Sequence, residues 1–507
     1  MGDKKQLLVN MVASLVNFAV NLGIGFAITP FIVQRVGAEA YGFVGLANNM
    51  VGYASLLTIA LNSVAGRFIT VAYHQGDKKK ADQYFSSTLS ANVVLVIILS
   101  VVAIPLILNL SQVIKISPHL VGDVKWLFFF VYLNFVVSAL STVLSVATFV
   151  KNKLYLSNLA NIAYSLVRIV TIVLCFAVCP TYVLFVGLAT CLGTIVMAVL
   201  NYVYTRRLTP ELRFRKTGVS WLATREMLSS GIWNTVVKMQ QILQDGLSLL
   251  IANLAISPLH MGYLSIAQVV PNALSGLMGT ISGLFSPEQT RFFAQGKTNE
   301  LFRELTSSMR ITGFFTGIIF VALLVNGETF IALWQPGQNV QMIYALMMLT
   351  MAGFFFSGVA TTLQGVPLLV NRLRNYSLAW LACGAASFVF TLVCVKLTSW
   401  GIYAVCVVPQ LVGIIANLSF VPIYAAWCLK IRLYKFYLIY LQYSFATVLA
   451  FVLSYVANRL LPVQHVGWAS LIFGCAVTAC VTCMVNVVVL LGKRERSALV
   501  DKFIRRK

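Results

Sequence analysis

The sequence predicts an all-α polytopic membrane protein with about fourteen transmembrane helices, arranged as two six-helix lobes plus two C-terminal helices. Three observations carry this prediction. Of 507 residues, 59% are hydrophobic and only 10% charged, whereas a soluble globule carries about 25% charged residues. Apolar stretches long enough to cross a hydrocarbon core of about 30 Å recur along the whole chain. Finally, the stretch 37–89 returns 220 residues later at 257–309 without a gap, so that Gly42, Ala47, Ser55, Thr70, Gln75, Gly76 and Ser87 meet Gly262, Ala267, Ser275, Thr290, Gln295, Gly296 and Ser307. A same-direction repeat of this kind builds two lobes around a midplane site.

Taken in order, the expected spans are 7–30, 41–66, 85–109, 125–150, 155–178, 182–204, 231–255, 262–285, 306–326, 340–363, 376–397, 401–427, 436–460 and 466–491. Lys4 and Lys5 precede the first, and no small-residue cleavage site follows it, so it reads as a retained span and not a signal peptide. The second is led by Gly37 and Gly42 and ends toward Gln75-Gly76, a turn that the eighth repeats at Gln295-Gly296. Very short turns join the fifth to the sixth and the eleventh to the twelfth. Pro105, Pro271 and Pro409 fall inside spans, where each is expected to remove a helix hydrogen bond. Glycines 276, 279 and 283 permit bending or close approach.

The formal charge of +23 is placed between apolar runs, which argues against nucleic acid. With both termini inside, thirty of the 37 lysines and arginines fall in inside segments, five outside and two within spans. Basic residues resist translocation, so this asymmetry sets the orientation and supports an even span count. The longest inside loop, 205–230, precedes the restart of the repeat. The domains therefore read as an N-lobe at 1–204, a cytoplasmic linker at 205–230, a C-lobe at 231–427, two further helices at 428–491 and a basic cytoplasmic tail at 492–507. The tail is expected to lie on anionic headgroups. All ten cysteines sit in or beside apolar runs and read as small packing residues. The four histidines are scattered, no phosphate-binding glycine loop or metal-ligand cluster appears, and no resident cofactor is expected.

The chemistry that remains lies on polar faces and in three charges. Asn10, Ser14, Asn17, Asn21 and Gly25 line one side of the first span, and Ser230, Asn234, Gln241 and Asp245 the matching side of the seventh. Asn48, Gly52, Ser55 and Asn62 align in the second span, and Gln268, Asn272, Ser275, Gly279 and Ser282 in the eighth. Hydrogen bonds between packed helices are one use for such faces. A hydrated cavity between the lobes is the other, favoured because the stripes occur symmetrically in both halves. Arg168 lies mid-span in the fifth segment, and Lys238 and Asp245 are seven residues apart in the seventh. Charges at bilayer depth need water or a partner. A structural Lys238–Asp245 pair is one reading. The other has Arg168 and Lys238 presenting positive charge to an anionic substrate while Asp245 carries a coupling proton or tunes the lysine. Arg35 near the outer mouth, with Arg67 and Arg291 as a cytoplasmic gate, extends the same sign, and headgroup anchoring competes for these three.

The Thr29-Pro30-Phe31 end, the Gly37-x-x-x-Tyr41-Gly42 turn, and Arg67-Phe68-Ile69 followed by Gln75-Gly76-Asp77 resemble the bacterial polysaccharide flippases (Wzx-type, O-antigen/capsule) of the multidrug/oligosaccharidyl-lipid/polysaccharide exporter superfamily. The resemblance implies a non-enzymatic flippase of the bacterial cytoplasmic (inner) membrane. Such a protein turns polyprenyl-pyrophosphate-linked oligosaccharide from the inner to the outer leaflet by alternating access. It implies a cationic lumen, for which Arg168, Lys238 and Arg35 are the candidates, joined by Asn17, Asn21, Asn48, Ser55, Asn62, Gln241 and Gln268 on the polar faces. H+ or Na+ is the expected coupling ion. The expected partners are the lipid-linked glycan, membrane lipids, glycan polymerase and glycosyltransferases. A MATE-type cation or drug antiporter and a lipid II flippase are the alternatives on the same fold.

Overall fold

The computed structural model describes residues 3–460, 467–492 and 495–496. Residues 461–466, with His465, and the tail apart from Gly492, Glu495 and Arg496, lie outside the described residues. Within them the chain is helical, without strands, and thirteen helices are long and apolar enough to cross a membrane.

The first two expected spans run together as α1 (Asp3–Ala54), broken at Gly37, whose φ of +84° and ψ of 163° leave helical space. Glycine takes this conformation without a Cβ penalty. The helix breaks again at Ser55 before α2 (Leu56–His74). There the Ser55 hydroxyl donates to the Gly52 carbonyl at 2.6 Å and the Thr58 hydroxyl to the Ser55 carbonyl at 3.0 Å, side-chain bonds that compete with the helix ladder. Next come α3 (Lys78–Leu108), α4 (Val121–Ser141), α5 (Leu154–Val178) and α6 (Leu184–Leu208).

The seventh expected span is helical but not uniformly α. It begins with α7 (Trp221–Gln241), passes through a π turn at Ile242–Gly246 and a short helix at Ser248–Ile251, and ends in a second π turn at Ala252–Ile256. This segment is not among the thirteen. The eighth comprises α8 (Pro258–Ala267), α9 (Val269–Gly283) and α10 (Ser286–Ala294). Its break falls at Gln268, and Pro271 sits in the first turn of α9. The expectation that Pro271 removes a helix bond is thereby corrected, because a first-turn N–H has no intrahelical acceptor to lose. Pro105 and Pro409 do lie inside helices. The chain continues through α11 (Thr298–Trp334), α12 (Val340–Met351), α13 (Phe354–Gln364), α14 (Leu373–Leu397), α15 (Ile402–Leu418), α16 (Phe420–Leu429), α17 (Tyr434–Leu460) and α18 (Trp468–Val489).

The repeat is visible bond for bond at its Gln-Gly turn. Gly76 has φ +83° and Gly296 +67°. Gln75 N bonds to Val71 O and Asp77 N to Ala72 O, and likewise Gln295 N to Arg291 O and Lys297 N to Phe292 O. Both are glycine-ended helix caps that use otherwise orphaned carbonyls.

The chain divides into two compact units, Met1–Ile266 and Ala267–Lys507. In the first, α6 packs on α4 and α5, and α2 on α3 and α7. The linker joins its core: Leu212 and Met227 are buried with Leu61, Ile69, Tyr84 and Phe85. The α3 helix is peripheral, with Ile97, Val101, Val102 and Leu108 all more than half exposed. Such a face suits lipid, where an exposed apolar side chain meets tails as apolar as itself. In the second unit α17 and α18 pack on α11, and Tyr443 is fully buried against Gly313 and Gly358.

Candidate functional site

Folding brings α1 against α5, and most of the first polar stripe is used at that contact. Asn10 donates to the carbonyl and side-chain oxygen of Asn152 at 3.0 and 3.1 Å and accepts from Tyr155 N. Asn158 donates to Ser14 at 2.9 Å and accepts from Asn17 at 3.3 Å. Asn21 accepts from the Ser165 hydroxyl at 2.6 Å and donates back to Asn17. The expectation that these stripes exceed what pairwise packing uses does not hold for the first span. The reason is that α5 presents its own asparagine and serine at the matching heights.

One turn beyond Ser165 on the same helix stands Arg168. It lies beside Tyr41, and its buried Nε has no hydrogen-bond partner among the described residues. Tyr41 O–H is 3.3 Å from the Thr29 hydroxyl, and Thr29 donates at 2.8 Å to the Gly25 carbonyl. With the single threonine proton used on Gly25, Tyr41 is the donor to Thr29, which leaves the tyrosine oxygen's lone pairs turned to acceptor work. The cluster therefore sets a guanidinium with an unbonded Nε beside the Tyr41 phenol. Arg35 is placed differently. It donates to the Phe176 carbonyl at 3.0 Å and stacks on Phe31 at 5.0 Å, so it closes the end of α5.

Lys238 and Asp245 form no ion pair among the described residues. Lys238 Nζ lies 3.5 Å from the Gln241 side-chain oxygen, at the outer limit of a hydrogen bond. The carboxylate lies in a π turn that begins four residues after the lysine, so the two uniform α turns assumed from their spacing are not there. The turn leaves Gly246 O to accept from Asn49 at 3.1 Å and from Tyr53 at 2.7 Å. Asn253, fully buried in the second π turn, exchanges both of its amide bonds with the backbone of Lys115 at 2.9 Å.

The other candidates are dispersed. Asn48 donates to its own helix at Val44, Ser55 to Gly52, and Asn62 accepts from Asn92 at 3.0 Å. Gln268 marks the α8–α9 break. Arg67 and Arg291 stack on Phe68 and Phe292, and Arg291 also pairs with Glu288. Among the described residues no cluster of histidine, cysteine or carboxylate side chains fits a metal ion. Sequence reasoning missed Tyr41, Thr29, Asn49 and Tyr53. The only available signal was the four-residue spacing of Asn49 and Tyr53, which puts both on one face.

The repeat supplies a further constraint inside the first unit. A Cβ on Gly42 would lie 2.7 Å from Gly262 Cα and 2.9 Å from its N, and a Cβ on Gly45 would press on the Ser265 hydroxyl. Both pairs are separated by 220 residues, so the two copies touch at their own equivalent positions.

No family model matches the sequence. The chain is similar to an uncharacterized membrane protein, EpsK, of Bacillus subtilis (strain 168), with 26% identity over 504 residues covering 98% of this chain and 97% of that one. Its fold is similar to that of a lipid II flippase, MurJ, in an inward closed conformation, with a TM-score of 0.69, 13% identity, and 95% and 98% of the two chains covered. It is also similar to the MATE multidrug transporter DinF-BH, with a TM-score of 0.64, 16% identity, and 85% and 98% covered. An inward-facing multidrug resistance MATE family transporter of the MOP superfamily gives 0.62 at 12% identity, with 83% and 99% covered. The chain thus has the fold of these multi-pass membrane proteins.

Proposed function

We propose that this protein is a flippase of the MOP-superfamily type, not an enzyme, that carries polyprenyl-pyrophosphate-linked oligosaccharide from the inner to the outer leaflet of the bacterial cytoplasmic membrane by alternating access. The observation that carries the reading is Arg168, a mid-span guanidinium with a buried Nε that no acceptor among the described residues meets. An isolated charge at that depth is retained where it meets water or an anionic ligand, and a pyrophosphate offers the geometry a guanidinium favours. Tyr41 positions the arginine, and Lys238 adds a second cation. Asn17, Asn21, Asn48, Ser55, Asn62, Gln241 and Gln268 flank the path, Arg35 lies toward its outer end, and Arg67 and Arg291 guard the cytoplasmic side. Asp245, in its π turn, couples the cycle to H+ or Na+.

The two lobes of this reading are 1–204 and 231–427, linked by 205–230, with both termini cytoplasmic. Glycosyltransferases supply the substrate and a glycan polymerase consumes it. The MATE structures match almost whole yet leave about a sixth of this chain without counterpart, whereas the lipid II flippase extends over 95% of it. That supports a lipid-linked substrate over a drug cation and makes lipid II the second reading. The test is Arg168→Ala with Lys238→Ala in a correctly inserted protein, scored by which lipid-linked glycan accumulates on the cytoplasmic face. Stranded surface-polysaccharide intermediate is the expected result, stranded cell-wall precursor favours lipid II, and unimpaired export overturns the mechanism.

A further inference from the structure

The second unit holds a cavity of about 580 Å³ that the transport reading does not use. Arg303, Arg310 and Glu300 of α11 line it with Phe292, and Gly492 and Glu495 of the tail cover it. Its place is set by the length of α11. Thirty-seven residues at 1.5 Å each make a rod of about 55 Å, well beyond a core of about 30 Å. Arg303 lies before the expected span 306–326, and Arg310 about one turn inside it.

The charges in this cavity form an ion pair without a hydrogen bond. Arg310 Nη1 and Glu495 Oε2 are 3.6 Å apart, with side chains only 24% and 11% exposed. A bonded guanidinium–carboxylate pair stands at about 2.7–2.9 Å. Arg310 Nε and Glu495 Oε2 are both buried and lack a hydrogen-bond partner among the described residues. Gly492 leaves just enough room, since a Cβ there would press on both groups. With Glu495 present, two cations face two carboxylates; without it, the cavity is left with one net positive charge.

The first repeat shows the same place filled. Arg67, Phe68, Gln75, Lys80 and Tyr84 line a smaller cavity of about 170 Å³, closed by Glu226 of the linker. Tyr84 O–H donates to Glu226 at 2.8 Å. Lys80 and Glu300 are equivalent through the 220-residue repeat. In each unit a carboxylate from a following segment therefore reaches back over the start of the helix after the Gln-Gly turn. Only the tail does so over a large cavity and with an unbonded arginine.

We propose that the Arg303–Arg310 cavity binds a phosphate group, and that Glu495 holds its place until the phosphate displaces it and releases the tail. A phosphate offers more acceptor oxygens than the carboxylate and engages the guanidinium fork that Glu495 leaves unbonded. The tail carries Lys493, Arg494, Arg496, Lys502, Arg505, Arg506 and Lys507 against Glu495 and Asp501. An anionic lipid surface attracts such a segment, so a lipid phosphate would both fill the cavity and draw the freed tail down. A soluble phosphate would fill the cavity alone. The site stands whatever the transported substrate is.

The test uses the full-length protein in phosphatidylcholine nanodiscs, in the same discs with inorganic pyrophosphate, and in discs containing phosphatidylglycerol. Tryptic cleavage of the tail is followed by mass and normalised to a synthetic tail peptide. Wild-type cleavage should accelerate about fivefold with a phosphate probe, the change expected on losing one partly buried ion pair. Acceleration by phosphatidylglycerol alone identifies a lipid head, and by pyrophosphate a soluble phosphate. Glu495→Gln should be cleaved fast in every disc. Arg303→Ala, an exposed change, should lose the acceleration by either probe relative to its own basal rate. An unchanged wild-type rate with both probes, or an Arg303→Ala variant that responds like wild type, overturns the proposal.

Discussion

Replacing Gly42 by alanine tests whether the two repeat copies are held by direct backbone contact. The new Cβ would stand 2.7 Å from Gly262 Cα and 3.0 Å from Met261 Cε. The methionine end can swing away, but the Gly262 backbone cannot. Carbon atoms pack at about 3.5–4.0 Å, so the helices must part by about 1 Å, a gap that forfeits a quarter to a half of each dispersion contact across it. Overpacking of this kind costs about 1–3 kcal/mol, and the intrinsic helix gain of alanine over glycine returns about 1 kcal/mol. A net loss of about 0–2 kcal/mol follows. For a unit of this size each 1 kcal/mol lowers the unfolding midpoint by about 2–4 °C. The control is Gly23→Ala in the same helix, where a Cβ meets nothing within 4 Å and only the helix gain operates. Both variants are heated in detergent with a thiol-reactive fluorogenic dye, whose signal reports exposure of the buried Cys191 and Cys406 over the baseline of the exposed Cys179 and Cys480. The reasoning is refuted if Gly42→Ala melts as high as Gly23→Ala, which is expected to melt at or above the wild-type midpoint.

Two further predictions concern single contacts. Asn253→Ala removes two hydrogen bonds to the Lys115 backbone, each worth about 0.5–1.5 kcal/mol, so it should destabilise the first unit by about 1–3 kcal/mol; a thermal midpoint equal to wild type would count against this role. The Lys78 ammonium, bonded at 2.9 Å, holds the Glu211 carboxyl below its ordinary value of 4.5. A lowered carboxylate pKa contributes stability that is fully present above the unfolded value and fades as pH falls through the folded one. Linker amide exchange around Glu211, corrected for intrinsic rate, should therefore be constant from pH 7 to 5 and rise only below about 4.5. A rise between pH 7 and 5 would assign the linker's attachment to another group.

The span pattern was legible because the bilayer imposes it: helices must satisfy their own backbone and stay apolar for about twenty residues. The repeat was legible for a different reason. At Gly76 and Gly296 the backbone needs positive φ, so the residue type records the geometry directly. The interruptions of the seventh span were not legible. A π turn inserts into a helix without changing composition, and its consequence, a carbonyl taken by Asn49 and Tyr53, lies almost two hundred residues away in sequence.

The polar faces mark the limit for the site. A stripe of asparagines and serines at helical spacing looks the same whether it faces water or another stripe, because both uses require hydrogen-bonding groups on one side. Only the partner helix decides, and α5 takes up Asn17 and Asn21 in hydrogen bonds while Asn21 stays exposed. A charge is different. An asparagine finds its complement in another asparagine, but Arg168, on α5 itself, forms no ion pair among the described residues, and its Nε is left without an acceptor there. What sequence singled out as costly at bilayer depth is thus what packing leaves open, which is why the substrate hypothesis rests on one arginine and not on the longer row of neutral polar residues beside it.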